Sequence, residues 1–200
     1  MSCSTEKYSF RDGLYSEFPS QLILDITEIC NLACVHCPHP VFKESKYYAK
    51  RYLPPELNEK MVHEVRDQSE GHCKYLRYTS NGEPLVHPQG YKMVKYAVDN
   101  SNTFVCLTTN GTIMREKKTR QLLDSGIHMI DISLDAYLPK TYSKIRVGGD
   151  LELTRTNVLR LIEWVRRDNL DTKVVVSFVE QSENTDEIKA FQKFWTEQGA

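Results

Sequence analysis

FVCLTTNGTIMREKKTRQLLDSGIHMIDISLD, residues 104–135, reads as one complete structural unit. Phe104 to Asn110 is a short apolar run with β-branched and aromatic residues, and it predicts a strand. Asn110-Gly111 closes that strand with a turn. A helix is expected from about Arg115 to Ser125, and Gly126 is placed to end it, because glycine adopts the left-handed conformation of a helix terminus without a Cβ clash. Met129 to Asp135 is then a second strand. Strand, helix and strand in that order pair in parallel, since the helix carries the chain back to the starting edge.

The same unit recurs on both sides. Toward the N-terminus, Leu22 to Thr27 and Tyr75 to Ser80 read as strands. The helix Leu57 to Gln68, after Pro54-Pro55, lies between them, and Tyr91, Val94 and Val98 mark another at helical spacing. Toward the C-terminus, Val158, Leu161, Ile162 and Val165 form the apolar face of a helix. Lys173 to Glu180 follows as a fifth strand. A last helix starts near Asn184, with Glu187 three residues on as a capping box, and its stripe of Ile188, Phe191 and Trp195 is read as core. Five strand-then-helix units predict an α/β fold with a parallel sheet, either a closed or partial barrel or an open doubly wound sheet. Both architectures gather ligands at the C-terminal ends of the strands.

Those ends carry the unusual residues. Cys30, Cys34 and Cys37 follow the first strand, and Asn81-Gly82-Glu83-Pro84 the second. Thr109-Asn110-Gly111 ends the third, Ser133 and Asp135 the fourth, and Glu180-Gln181 the fifth. Five successive strand ends converging on one face single out that face as the candidate site.

Bulk properties narrow the chemistry. A formal net charge of -1 in 200 residues gives no electrostatic reason to expect nucleic acid or an anionic membrane as partner. No run approaches the roughly 20 apolar residues of a membrane span, and the first ten residues lack a signal-type apolar core. A cytoplasmic protein is expected. Six cysteines in a chain with an ordinary core argue for metal binding rather than a disulfide scaffold. Cys3, Cys73 and Cys106 are scattered and read as structural.

The run CNLACVHC, residues 30–37, places three cysteines on one loop. Thiolates favour zinc or iron–sulfur clusters. Zinc needs a fourth ligand, which His36 or His39 could supply, yet the usual zinc pattern is two separated ligand pairs in a fold without its own core. In a cubane cluster, three cysteines hold three irons and leave the fourth open to an exogenous ligand.

Cys-x3-Cys-x2-Cys with His36 before the last cysteine resembles the signature loop of the radical S-adenosylmethionine (radical SAM) enzymes. Gly82-Glu83-Pro84 resembles that family's Gly-Gly-Glu motif, with Asn81 where the family usually has glycine. The likeness covers roughly residues 20 to 200. It implies a partial (β/α)6 barrel, of which about five β/α units are present, with residues 1–20 as a lead-in and 21–200 as the core.

It also implies a 4Fe–4S cluster on Cys30, Cys34 and Cys37, with S-adenosylmethionine on the open iron. One electron would then cleave the sulfonium to methionine and a 5′-deoxyadenosyl radical, which takes a hydrogen atom from substrate. Gly82 would let the backbone approach the methionyl amine and Glu83 would accept a hydrogen bond from it. Ser133 would meet the ribose hydroxyls or the carboxylate, and Arg146 is read equally as a partner of the methionyl carboxylate or as a surface arginine. Asn110 and Asp135 are read equally as ligand contacts or as loop residues. The style of the motifs resembles the branch bearing a SPASM or twitch extension, which implies an oxidoreductase-like outcome on a small molecule such as a sugar derivative, with peptide modification as the alternative.

An electron donor such as flavodoxin or ferredoxin is the implied partner. The sixth unit is expected beyond Ala200, so the chain reads as part of a longer protein. A zinc-stabilised binding module and a non-catalytic iron–sulfur electron carrier are the rivals from other classes.

Overall fold

The computed structural model describes residues 17–79 and 81–200. Cys3 and Ser80, both named above, lie outside the described residues. The strands are β1 (Gln21–Leu24), β2 (Tyr75–Tyr78), β3 (Phe104–Thr109), β4 (Met129–Ser133) and β5 (Lys173–Ser177). They form one sheet in sequence order, every neighbouring pair parallel. An unbroken 1-2-3-4-5 order is the order of a barrel wall, and it excludes the doubly wound alternative, whose strand order reverses at a switch point.

The helices are α1 (His39–Lys43), α2 (Pro55–Gln68), α3 (Gly90–Asn100), α4 (Glu116–Leu123), α5 (Pro139–Ile145), α6 (Leu151–Arg167) and α7 (Ile188–Gln198). Pro55 opens α2 at a position whose N–H would have no partner in the helix. The Asp150 side chain caps α6 by accepting from the amides of Glu152 and Leu153. Gly126 (φ 72°) follows α4, and Gly199 (φ 94°) ends α7 in the left-handed conformation.

Alternate residues of each strand point to opposite faces. Leu24, Leu76, Tyr78, Val105, Leu107 and Ile130 pack beneath the helices and are at most 3% exposed. The register puts Ile23, Arg77, Cys106, Thr108, Asp131 and Val175 on the other face, which is the inner wall of the partial barrel. There Arg77 Nη1 donates to Thr108 Oγ1 (3.0 Å) and lies 3.3 Å from Asp131 Oδ2, while the Ser177 hydroxyl donates to Asp131 Oδ1. These side chains satisfy one another, so the inner wall carries a polar seam where the opposite face of the sheet is apolar.

Three local expectations are corrected. The first strand ends at Leu24 rather than Thr27, because Ile26 O turns to accept from Leu53 N and Thr27 bridges to Tyr52 in the antiparallel sense. The fifth ends at Ser177 rather than Glu180, because Val179 N–H is taken by Asp135 Oδ1 (2.8 Å) instead of a strand partner. Asn184 and Glu187 do not form a capping box. Asn184 Nδ2 donates to the carbonyls of Asp135 and Val179. The Glu187 carboxylate accepts from the amides of Tyr137 and Leu138 and from the Thr141 hydroxyl, so it ties the segment leading into α5 to the start of α7. A sequence window cannot show a partner that comes from 46 residues away.

Candidate cluster and cofactor site

The cysteine loop leaves β1 and runs over the C-terminal ends of the strands. Backbone bonds pin it at both flanks of Cys34: Ala33 N–H donates to Val147 O (2.9 Å) and Val35 N–H to Ile145 O (3.0 Å), just past the end of α5. Cys30, Cys34 and Cys37 are all free thiols, Cys34 buried and the other two half-buried. Burial pushes the Cys30 thiol up to about 11, and the neighbouring Glu83, Cys34 and Cys37 charges add to the rise. Burial raises Cys34 as well, against the pull of Arg146. Three thiolates within reach of one another repel, so their ionised form requires a cationic partner, which is the chemistry of a metal centre.

The donor geometry separates the two metal readings. A tetrahedral zinc holds its sulfurs about 3.8 Å apart. Among the described residues, no three His, Cys, Asp or Glu side chains converge closely enough to hold a single metal ion. His39 is buried with Nε2 bonded to the Glu28 carbonyl (2.8 Å). His36 turns Nε2 toward Asp135 Oδ2 (3.6 Å) and Nδ1 toward Gln181 (3.4 Å). With both histidines engaged elsewhere, the loop lacks the fourth ligand that zinc requires, and three thiols without a fourth are a donor set that an iron–sulfur cluster can use.

The loop after β2 meets the loop after β1. A Cβ on Gly82 would lie 1.8 Å from Thr27 O, so glycine is required there by contact with protein backbone on that side. Glu83 N–H donates to Ile29 O (2.9 Å). The Glu83 side chain is 3% exposed and points back into the protein: Oε1 accepts from Leu85 N (3.1 Å) and Thr109 Oγ1 (2.7 Å), and Oε2 from Asn110 N (2.8 Å). Burial raises its pKa while these donors oppose the rise. Glu83 is thus a clamp between the ends of β2 and β3.

Asn110 continues the chain of contacts. Its Nδ2 donates to Asn31 Oδ1 (2.9 Å), its Oδ1 accepts from Thr112 N and Thr112 Oγ1, and Asn31 Nδ2 donates to Thr112 Oγ1 (2.7 Å). Asn31 and Thr112 had no functional reading in the sequence. The available signal was position: Asn31 adjoins Cys30, and Thr112 follows the Asn-Gly turn. Ser133 sits half-buried at the end of β4, paired in register with Ser177.

Asp135 has no exposed surface and a left-handed backbone (φ 62°). Its Oδ2 lies 2.5 Å from Arg146 Nη2, and Arg146 Nη1 lies 3.5 Å from Cys34 Sγ. Arg146 therefore faces the cysteine loop and is no surface cation. All nine sequence-predicted site residues lie at one end of the sheet. Cys73 and Cys106 are buried in the body of the domain.

A profile of the Radical SAM superfamily matches residues 24–194. The chain belongs to the radical SAM superfamily. It is 31% identical over 140 residues to "Probable GTP 3′,8-cyclase" of Methanococcus maripaludis, covering 70% of this chain and 44% of that one. It is 31% identical over 169 residues to "GTP 3′,8-cyclase" of Alkaliphilus metalliredigens, covering 84% and 50%. The chain spans about half the length of the curated relatives it matches.

In structure it resembles Streptococcus suis SuiB bound to S-adenosylmethionine, with a TM-score of 0.70 at 16% identity over 91% of this chain and 39% of that one. That likeness carries the partial-barrel fold. The family's cofactors are a 4Fe–4S cluster and S-adenosylmethionine, and its members act on small molecules or peptides. No helix among the described residues is long and apolar enough to cross a membrane.

Proposed function

We propose that Cys30, Cys34 and Cys37 are the protein ligands of the 4Fe–4S cluster, and that residues 21–200 form the domain that binds S-adenosylmethionine and takes a hydrogen atom from a small molecule. The observation that carries this is the convergence of the three free thiols, the Gly82-Glu83 loop and Asn110 at the C-terminal ends of β1, β2 and β3. Cys30, Cys34 and Cys37 would hold the cluster, which would supply the single electron for reductive cleavage of S-adenosylmethionine.

The chain's own residues do the rest. Gly82 and the Glu83 backbone shape the wall against which the methionyl group lies, while the Glu83 carboxylate is held ready by three donors and can accept from an amine only as one further partner. Asn110 fixes the cysteine loop to the end of β3. Ser133 presents a hydroxyl for the ribose or carboxylate, and Asp135 and Arg146 close the far side. The polar seam of Arg77, Thr108, Asp131 and Ser177 on the inner wall would meet a polar substrate.

A nucleotide substrate is favoured by the two cyclase-named relatives, and a ribose-bearing nucleotide is also a sugar derivative. Their name denotes ring formation, so it supports hydrogen abstraction from a small molecule and gives no support to a net oxidation. A flavodoxin- or ferredoxin-type donor in the cytoplasm completes the reading.

The test is anaerobic reconstitution with iron and sulfide, then reduction with dithionite and assay for 5′-deoxyadenosine with and without GTP. Cofactor cleavage stimulated by GTP is expected. Iron-loaded protein that forms no 5′-deoxyadenosine refutes the catalytic reading and leaves an electron carrier. In parallel, Cys30→Ala, Cys34→Ala and Cys37→Ala should each lose most bound iron, and Cys73→Ala and Cys106→Ala should keep it. Loss of iron in Cys73→Ala would defeat the three-ligand assignment.

A further inference from the structure

The amide of His39 donates to Cys37 Sγ (3.4 Å). That donor is backbone two residues away and travels with the cysteine it serves. Cys34 differs: its donor is a side chain, Arg146 Nη1, from 112 residues further along the chain.

That side chain is aimed with unusual care. Arg146 is 7% exposed and sits just past the end of α5. Asp135 grips it from behind through the 2.5 Å contact to Nη2. Asp135 is itself fixed at three points: its left-handed backbone, the bond from Val179 N–H to Oδ1, and the bond from Asn184 Nδ2 to its carbonyl. The residues flanking Arg146, Ile145 and Val147, accept the backbone N–H groups on either side of Cys34. The donor and the sulfur are thus locked together by backbone as well as by side chain.

An N–H and a positive charge placed on a cluster thiolate stabilise the more negative, reduced cluster and raise its reduction potential. Burial weakens solvent screening and makes the effect larger. We propose that Arg146 is a positioning residue that sets the reduction potential of the cluster through the N–H it gives to Cys34 Sγ, with Asp135 fixing its direction and cancelling part of its charge. The inference rests on the ligand assignment above. It explains why a buried ion pair stands beside one cysteine and not beside the other two.

The electrostatics predict opposite signs for the two partners. Arg146→Met removes both donor and charge. Its cluster should be harder to reduce, with the reduced-to-oxidised ratio at a fixed potential falling about tenfold, which is about 59 mV for a one-electron couple. Arg146→Lys, which keeps the charge and one donor, should recover part of the shift. Asp135→Asn leaves Arg146 uncancelled and should move the potential the other way.

The experiment is iron counting on anaerobically reconstituted protein, followed by a dithionite titration monitored by electron paramagnetic resonance. Opposite shifts in variants with full iron support the proposal. A wild-type potential in iron-loaded Arg146→Met overturns it. If that variant holds no iron, Asp135→Asn decides, and a zero or negative shift there overturns it. Wild-type protein that binds no iron overturns the ligand assignment itself, which is a distinct result from normal iron with unmoved potentials.

Discussion

Replacing Gly82 by alanine tests the contact between the first two loops of the site. No positive φ is required at this position, so the backbone conformation itself would accept alanine, and the cost is steric. The new Cβ would sit 1.8 Å from Thr27 O, 2.8 Å from Thr27 C and 3.0 Å from Ile29 O. The first of these is roughly 1.5 Å short of van der Waals contact, and the obstructing atoms are backbone, which cannot rotate away as a side chain would. The two loops must separate.

Separation breaks the Glu83 N–H bond to Ile29 O, worth about 1–3 kcal/mol when a buried donor is left alone. Overpacking adds about 1–3 kcal/mol. The sum, about 2–6 kcal/mol, is a large part of the roughly 5–15 kcal/mol that holds a domain folded. It should lower the melting temperature by about 5–20 °C in a chain of this size. Gly71→Ala is the control: it has a positive φ of 79° but open space around it, so it should cost only the left-handed penalty of about 1–2 kcal/mol. Both variants are measured by circular-dichroism melting beside the parent protein. If Gly82→Ala melts no lower than Gly71→Ala, the close backbone approach is wrong.

Three further outcomes are expected. Glu83→Ala orphans the donors of Leu85, Thr109 and Asn110, so it should destabilise by about 3–5 kcal/mol as well as weaken S-adenosylmethionine binding; an unchanged melt with reduced affinity in calorimetry would instead make Glu83 a pure ligand contact. Asn31→Ala removes the bonds to Asn110 and Thr112 and should cost about 1–2 kcal/mol in a denaturant titration, with faster amide exchange at Thr112; unaltered exchange there would show that the cysteine loop is held by other contacts. Hydrogen bonding from Arg167 holds the Asp168 carboxyl below its usual range, so its contribution to stability is present above the unfolded carboxyl value of 3.8 and is lost as pH falls below it; Asp168→Asn should flatten that acid limb of the melting curve, and an identical limb would refute the assignment.

The parts of this protein that can be read along the chain are the periodic and the contiguous ones. Alternation along Met129–Ser133 and helical spacing across Val158, Leu161 and Ile162 placed the strands and helices, because burial of one face imposes its period on the chain. The order of units required a parallel sheet. The cysteine loop was legible because its three donors are neighbours in the chain, and the strand-end rule placed Gly82, Asn110 and Ser133 beside it. The partners that meet through space are fixed only when the chain folds.

Glu187 binds the amides that lead into α5 rather than capping its own helix, and Glu83 turns inward to clamp Thr109 and Asn110. Asn31 ties the cysteine loop to the third strand. Arg146 finds Cys34 and Asp135, where the motif alone pointed it at a carboxylate of the cofactor. The physical reason is the same in each case. A buried polar group must find a partner, but which partner is set by loop paths that the folded sheet brings together, and no local pattern records them.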